Sequence, residues 1–184
     1  MNTIETPRLS LKPLRSAHCA NLLPILSDRA TAWWADLPRM RTPGEVRSFI
    51  HWGNFSGQII QYGLFEKGSD TAIGFLQVKL PAFTGRADER ELGYVLSKDY
   101  RGRGYMSEAV KAVCEDVFKD GSVRAVTLEV LPDNGPSQGV ARKCGFVLEP
   151  QGDGERELRY LDGAPLDRLV LTAEEARRKK SRAA

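Results

Sequence analysis

Hydrophobic and polar residues alternate along several stretches of the chain, and this period of two predicts β-strands. The first stretch covers residues 8–14, where Leu9, Leu11 and Leu14 are separated by polar positions. The turn Lys67-Gly68-Ser69-Asp70 joins the next two strands and predicts a hairpin. After the first strand, the predicted strands cover residues 58–65, 72–80, 91–97, 125–131, 146–148 and the region 158–171, which contains a turn at Asp162-Gly163.

Hydrophobic positions spaced three or four residues apart predict helices between these strands. The clearest helix covers residues 105–118, and another at 136–143 is ended by Gly145. Thr42, followed by a proline and then a glutamate at the third position, is typical of a helix start. Ser16 is the predicted cap of a helix over 16–26, and 81–89 is a polar loop.

This interleaved order predicts one α/β domain with a mixed central sheet and flanking helices. We expect the domain to cover residues 1–172, followed by a basic tail at 173–184. The formal net charge of +3 comes from five basic residues of that tail, Arg177, Arg178, Lys179, Lys180 and Arg182. Without these five residues the chain is slightly acidic. A charged, solvated helix end accounts for the tail, so no nucleic-acid partner is predicted.

Other features of the composition narrow the class of protein. No run approaches the ~20 apolar residues of a membrane span, and residues 1–15 lack the apolar core of a secretory signal. We therefore expect a cytoplasmic protein without membrane contact. The widely spaced Cys19, Cys114 and Cys144, and the distant His18 and His51, form no metal-ligand pattern, so no metal site is predicted.

The most informative segment is a strand, a glycine-containing loop and a helix in succession. Gly102 and Gly104 allow a tight turn and the close approach of a ligand to the backbone. The amides of the first helical turn then form an anion site suited to a diphosphate, and Arg101 and Arg103 add positive charge beside it.

Two nucleotide-binding motifs are possible alternatives for this loop. A P-loop sequence is absent from the chain. The dinucleotide pattern GxGxxG has Ser107 at its third glycine position, although Glu129 lies where a ribose-binding acid is expected. The motif follows a hairpin instead of opening a βαβ unit, so dinucleotide binding is the weaker alternative.

Three segments carry a resemblance to a known family. Residues 100–109 look like an acetyl-CoA loop and its helix, 134–137 with 143–146 look like an N-x-x-S and K-x-G-F signature, and 6–11 look like an opening strand. In this order and spacing the chain resembles the GNAT superfamily of acetyltransferases, within its RimJ/RimL-like branch, over about residues 5–172.

The resemblance implies a sheet splayed between its fourth and fifth strands, with acetyl-CoA as co-substrate. The pantetheine arm is expected in the gap, paired with the backbone near Val95 and Leu96, while Asn134 and Ser137 line the other wall. A homodimer is a further expectation. The diphosphate is expected on the amides of Arg101, Gly102, Arg103, Gly104, Tyr105 and Met106.

The implied reaction is direct acetyl transfer, in a ternary complex, to the primary amine of a small molecule or a protein N-terminus. An ammonium ion must lose a proton before it attacks, and we expect Glu129 to act as base through water, with Glu91 as the second candidate. Ser137 either protonates the departing thiolate or caps the short helix.

Two departures from the family pattern leave an alternative open. Asp99 stands where relatives have glutamine or arginine, and we expect it to face solvent. Many relatives have a tyrosine at the position of Ala141, and they use it as the general acid that protonates the departing thiolate. Because that acid is absent here, a non-catalytic acyl-CoA-binding protein is the alternative. The acceptor is expected near Tyr160, the loop 81–89 and the pair Trp33 and Trp34, although a core or dimer contact is the favoured role of the two tryptophans.

Overall fold

The computed structural model describes residues 2–149, 160–161 and 163–183. The strands are β1 (Ile4–Glu5), β2 (Leu9–Pro13), β3 (Ile59–Glu66), β4 (Ala72–Lys79), β5 (Glu89–Leu96), β6 (Ala125–Val130), β7 (Val147–Leu148), β8 (Tyr160–Leu161), β9 (Ala164–Pro165) and β10 (Asp167–Thr172). The α-helices are α1 (Cys19–Ser27), α2 (Arg29–Trp34), α3 (Pro43–Phe55), α4 (Pro81–Thr84), α5 (Tyr105–Val117), α6 (Gly135–Cys144) and α7 (Ala173–Ala183).

Eight of these strands form one mixed sheet in the order β1-β2-β3-β4-β5-β6-β10-β7, and β8 pairs with β9 separately. Neighbouring strands in the large sheet run antiparallel, except for the parallel pair β5 and β6. That pair is in register from Glu89 opposite Ala125 to Leu92 opposite Leu128, and the pairing ends there. The predicted splay between the fourth and fifth strands of the sequence analysis is therefore confirmed, at β5 and β6.

Helices cover both faces of the sheet, and each layer buries its own apolar cluster. Helices α5 and α6 pack over one face, where Met106, Val110 and Val113 join the side chains of Leu92 and Leu128. Helices α1 and α3 cover the opposite face, together with a second cluster. This second cluster contains Leu22, Leu26, Val46, Ile50, Phe65, Phe75 and Val95. The sheet, including the parting of β5 and β6, thus lies between two helical layers.

Most element predictions agree with the structure, and the exceptions have local causes. Thr42 accepts a hydrogen bond from the Glu45 amide and forms the expected capping box. Ser16 is not a cap, because a 3-10 turn occupies Ser16–His18 before α1 begins. A short helix, α4, lies inside the expected polar loop. Residues 150–159 and Asp162 lie outside the described residues, so part of the last predicted strand region is not observed.

The C-terminal tail contains a helix, and the three cysteines lie in the protein interior. Residues 173–183 form helix α7, whose Ala176 packs against the larger core, so the tail begins as ordered helix. Cys19, Cys114 and Cys144 are free and buried. Among the ranges that the structure describes, no helix combines the length and hydrophobicity that a membrane crossing requires.

Gly74 provides a test of how tightly β4 holds β5 beside the splay. A Cβ at Gly74 would lie 2.3 Å from the backbone oxygen of Val95, which cannot move without shifting β5. Overpacking of this kind costs about 1–3 kcal/mol, so Gly74→Ala should lower the free energy of unfolding by that amount in urea titrations. Gly121→Ala is the control, because a Cβ there meets open space. An unchanged stability of Gly74→Ala would contradict the packing described here.

Candidate active site

The splay leaves one edge of β5 without a strand partner. On its other edge β5 is hydrogen bonded to β4 as far as the Ser97 amide, which donates to Ile73 O at 2.9 Å. Backbone groups alternate between the two edges of a strand, so Val95 directs its N–H and C=O toward β4. Tyr94 and Leu96 direct theirs into the gap. The expectation of backbone pairing near Val95 and Leu96 therefore applies to Leu96 and to Tyr94, because the groups of Val95 are engaged by β4.

A cleft of about 780 Å³ opens at this gap. Its walls are β5 and the end of β6, the loop that leads into α5, the first turns of α6, and residues of α2 and the turn after it. Among the predicted site residues it brings together Glu91, Val95, Leu96, Arg101, Gly102, Gly104, Tyr105, Met106, Glu129, Asn134 and Ser137. Residues more than 40 positions apart in the sequence thus meet around one space.

The loop between β5 and α5 forms a cradle of backbone amides. Gly102 and Gly104 have φ angles of 75° and 80°, in the left-handed region that favours glycine. The first amide to bond within α5 is that of Glu108, which donates to Gly104 O at 3.0 Å. The amides of Tyr105 and Met106 precede it and have no partner within the helix. Unpaired first-turn amides and the helix dipole are the features that an anion site at this position requires.

The N-terminal segment holds this cradle in place. Arg8 donates through Nε to Glu108 Oε2 at 2.7 Å and through Nη1 to Arg103 O at 2.9 Å. The Thr6 hydroxyl donates to Glu108 Oε1 at 2.7 Å. Burial of the Glu108 carboxyl favours its protonated form, but the hydrogen bonds from Thr6 and Arg8 outweigh burial and hold its pKa below the ordinary value. The opening motif at 6–11 therefore clamps the first turn of α5.

The two arginines of the loop take different positions. Arg101 crosses the mouth of the gap, where its Nε donates to Leu96 O at 3.1 Å and its Nη2 donates to Thr31 Oγ1 at 3.0 Å. Arg103 is exposed and places its guanidinium over the Tyr100 ring, 5.4 Å from the centroid. Asp99 is exposed, as expected.

Helix α6 forms the wall opposite the cradle, and its N-terminus shows which residue caps this helix. Asn134 is the cap of α6, since its side chain accepts from the Ser137 amide at 3.2 Å. Ser137 is not the cap, and its hydroxyl lies 2.7 Å from the hydroxyl of Tyr94 on β5. Ala141 is buried and offers no titratable group. Tyr94 was missed in the sequence, where only the alternation of β5 placed it on the same face as Leu92 and Leu96.

The two glutamates predicted as base candidates lie on the other face of the sheet. Glu91 pairs with Thr127 across β5 and β6, so its side chain and that of Glu129 share a face. Glu91 is only 5% exposed, and its carboxylate is bound by the ammonium of Lys79. Glu129 is partly exposed and lines the cleft. Both glutamates also line a neighbouring cavity of about 240 Å³.

This neighbouring cavity continues the cleft toward α4. Phe83 of α4 and Arg168 of β10 lie in its wall. Arg168 is buried and is held by the carboxylates of Glu89 and Glu149. Arg86 also lines the cavity and pairs with Glu89, so both arginines of this polar extension of the cleft are engaged by carboxylates.

The tryptophan pair lies at the edge of the cleft. Trp33 and Trp34 stack edge to face with ring centroids 4.6 Å apart, and Trp34 lines the cleft. They are 40% and 37% exposed, so neither belongs to the described core. The side chain of Tyr160 lies outside the described residues, so its predicted place at the acceptor site is not observed.

Comparisons with known proteins agree with this geometry. The family described as Acetyltransferase (GNAT) domain matches residues 8–147. An uncharacterised N-acetyltransferase, p20, of Bacillus licheniformis is 26% identical over 153 residues, which is 81% of this chain and 84% of that protein. The ribosomal-protein-serine acetyltransferase of Escherichia coli K12 is 34% identical over 59 residues, or 32% of this chain and 33% of that one.

A solved structure shows the same fold over almost the whole chain. RimL, described as a ribosomal α-N-protein acetyltransferase in complex with coenzyme A, superposes with a TM-score of 0.78 and 21% identity, covering 95% of this chain and 99% of that one. The family match spans the amide cradle, the splayed strands and the wall formed by α6. The chain therefore belongs to the GNAT family of N-acetyltransferases.

Proposed function

We propose that this protein transfers the acetyl group of acetyl-CoA directly to a primary amine, within a ternary complex. The observation that carries the proposal is the unpaired edge of β5, which begins beside the amide cradle and ends near the carboxylates of Glu91 and Glu129. A thioester along this edge has an anion site at one end and acidic side chains at the other.

The cofactor is held mainly by backbone in this proposal. Its diphosphate occupies the amides of residues 102–106, and Arg101 and Arg103 add positive charge near it. The amides of the pantetheine arm pair with the backbone of Tyr94 and Leu96, where a strand partner is lacking. An N–H on the same edge stabilises the oxyanion of the tetrahedral intermediate, a contribution typically worth ~3 kcal/mol.

Proton removal from the acceptor is assigned to Glu129. Glu91 is more deeply buried and is bound to Lys79, which keeps it a charged partner of that lysine. Glu129 lies at the cleft surface on the same face, where a water molecule can link it to the amine. Glu91 is given a supporting role, in which it keeps this face acidic and attracts the ammonium form of the acceptor.

Protonation of the departing sulfur is assigned to Ser137, on the face of the sheet opposite the two glutamates. The amine attacks the carbonyl carbon, the C–S bond breaks, and its electron pair goes to the sulfur. An ammonium acceptor releases two protons on its way to the amide. One passes through Glu129 to solvent, and the other reaches the sulfur through the Ser137 hydroxyl, which gives its own proton and takes one from the nitrogen.

The acceptor enters from the face that carries the carboxylates. Trp34 and Phe83 supply apolar contacts beside the two glutamates. The named activities of the relatives, on ribosomal proteins, support a protein N-terminus as one acceptor class. A small primary amine is the other class, and the assay below separates them. A cytoplasmic location and a homodimer stay predictions.

Cofactor binding gives the first test of the function. A ligand that binds only the folded protein stabilises it by about 2.7 kcal/mol at a concentration 100 times its Kd. We expect acetyl-CoA to raise the Tm, and NAD, which would serve a dinucleotide enzyme, to leave it unchanged. A Tm that responds to NAD and not to acetyl-CoA would contradict the proposal.

Turnover gives the second half of the same test. We expect thiol release from acetyl-CoA when a panel of small amines and N-terminal peptides is supplied, and mass spectrometry should find the acetyl group on the amine. Binding of acetyl-CoA without thiol release for any amine would favour a non-catalytic acyl-CoA-binding protein.

The clamp on the cradle predicts a cofactor-specific defect. Arg8→Ala removes the bonds to Glu108 and Arg103 and the contact with the Tyr105 ring. We expect the KM for acetyl-CoA to rise about tenfold, equivalent to ~1.4 kcal/mol, with little change in kcat. Lys12→Ala is the matched control, because Lys12 forms a comparable ion pair with Asp70 away from the cleft. Equal KM values for the two variants would remove Arg8 from the clamp.

The assignment of the base predicts a defect in kcat. Glu129→Gln keeps the shape of the side chain but removes its basicity, so kcat should fall by about 10²-fold or more and the pH profile of kcat/KM should move. Glu115→Gln, on the exposed side of α5, neutralises a carboxylate far from the cleft and serves as control. A larger loss in Glu91→Gln than in Glu129→Gln would transfer the assignment to Glu91.

A further inference from the structure

We propose that Tyr94 positions the Ser137 hydroxyl for departure of the sulfur, by donating a hydrogen bond to Ser137 Oγ so that the serine proton is directed at the thiolate. The inference rests on the proposed function, and it adds a residue that the sequence did not single out. Tyr94 acts through Ser137 and is a positioning residue in this scheme.

The first argument is the rigidity of the contact. Tyr94 belongs to β5, and its side chain packs against the core cluster that α5 and α6 cover. Ser137 lies in the first turn of α6, and its amide is bound to the Asn134 side chain at 3.2 Å. The hydroxyl-to-hydroxyl distance between Tyr94 and Ser137 is 2.7 Å. Ser137 is therefore held at two points, its amide and its hydroxyl.

The second argument is the number of protons and lone pairs at the contact. A serine hydroxyl has one proton and accepts through two lone pairs. When Tyr94 donates, the serine proton is free for a third group, and when Ser137 donates, that proton is used up. The direction of this one hydrogen bond therefore decides whether Ser137 can serve the sulfur.

The surroundings of the phenol keep a proton available for donation by Tyr94. Burial raises the pKa of Tyr94 to about 12, and the contact with Ser137 only partly offsets this effect. The phenol consequently keeps its proton at any pH at which the enzyme is assayed. Tyr94 also lines the cleft on the edge of β5 where the thioester is expected, so the hydroxyl pair and the leaving sulfur share one space.

The step balances without a change in Tyr94. The electron pair of the C–S bond goes to sulfur, the Ser137 proton goes to the same sulfur, and Ser137 Oγ recovers a proton from the acceptor nitrogen. Tyr94 holds its own proton throughout and donates to Ser137 Oγ before and after the transfer. One lone pair of Ser137 faces Tyr94, and the other is left for the proton from nitrogen.

The two faces of the sheet then carry separate tasks. Glu91 and Glu129 project from the face covered by α1 and α3, while Tyr94 meets Ser137 on the face covered by α5 and α6. Removal of the first proton from the ammonium group by Glu129 and protonation of the sulfur through Ser137 consequently take place on opposite sides of the gap. This arrangement keeps the carboxylates from accepting the serine proton that the sulfur needs.

The experiment is a double-mutant cycle on the full-length enzyme with the best amine of the panel. Tyr94→Phe should lower kcat about tenfold and leave the KM for acetyl-CoA within twofold. Ser137→Ala should lower kcat further, and the double variant should be no slower than Ser137→Ala, because Tyr94 acts only through that hydroxyl. Tyr62→Phe is the matched control, since Tyr62 is a buried tyrosine on β3, two strands away on the same face.

The possible results separate this inference from the proposed function. An unchanged kcat in Tyr94→Phe, or losses that add in the double variant, would overturn the role of Tyr94 while wild-type turnover leaves the proposed function standing. A raised KM and a lowered Tm with unchanged kcat would identify a purely structural contact between β5 and α6. A wild-type enzyme that transfers acetyl to no amine would overturn both.

Discussion

The parting of two parallel strands is the constraint on which the rest of this structure depends. Strands β5 and β6 are paired only as far as Leu92 and Leu128, and beyond that point β5 has backbone groups on one edge with no strand to receive them. Backbone N–H and C=O groups in a protein interior require partners. A ligand that is itself built of amides, such as a pantetheine arm, can supply them along the length of the edge. In the proposed function, these backbone groups form the binding surface for the pantetheine arm.

Interactions from distant parts of the chain keep this gap open and aligned. Gly74 lets β4 approach Val95 closely, so β5 is held firmly on its paired side. Arg101 spans the mouth of the gap between Leu96 and Thr31. Arg8 connects the glycine loop to α5, because it donates to both Arg103 O and the Glu108 carboxylate. Because these contacts join the N-terminal segment, α2, β4, β5, the loop before α5 and α5 itself, the shape of the cleft is a property of the whole fold.

The parts of the site that the sequence predicts are those carried by local patterns. Gly102 and Gly104, followed by the helical spacing of 105–118, are sufficient to predict an amide cradle at the end of a strand. The capping box at Thr42 is equally local. Such features depend on a few adjacent residues, and tertiary contacts do not change them. They explain why the glycine loop and the start of α5 could be predicted before the fold was known.

Long-range contacts account for what the sequence could not predict. The hydrogen bond between Tyr94 and Ser137 joins residues 43 positions apart, and that between Thr6 and Glu108 joins residues 102 apart. The capping role of Asn134 in place of Ser137 depends on where α6 begins. The direction in which Val95 presents its backbone depends on the register with β4. Each of these features is set by tertiary contacts, which no single stretch of sequence specifies.

A crystal structure of the protein soaked with acetyl-CoA tests the central claim most directly. The account predicts the diphosphate on the amides of residues 102–106 and the pantetheine arm beside Tyr94 and Leu96, with the thioester sulfur within hydrogen-bond reach of Ser137. A cofactor bound elsewhere, with that turn empty or with β5 and β6 paired along their full length, would contradict it.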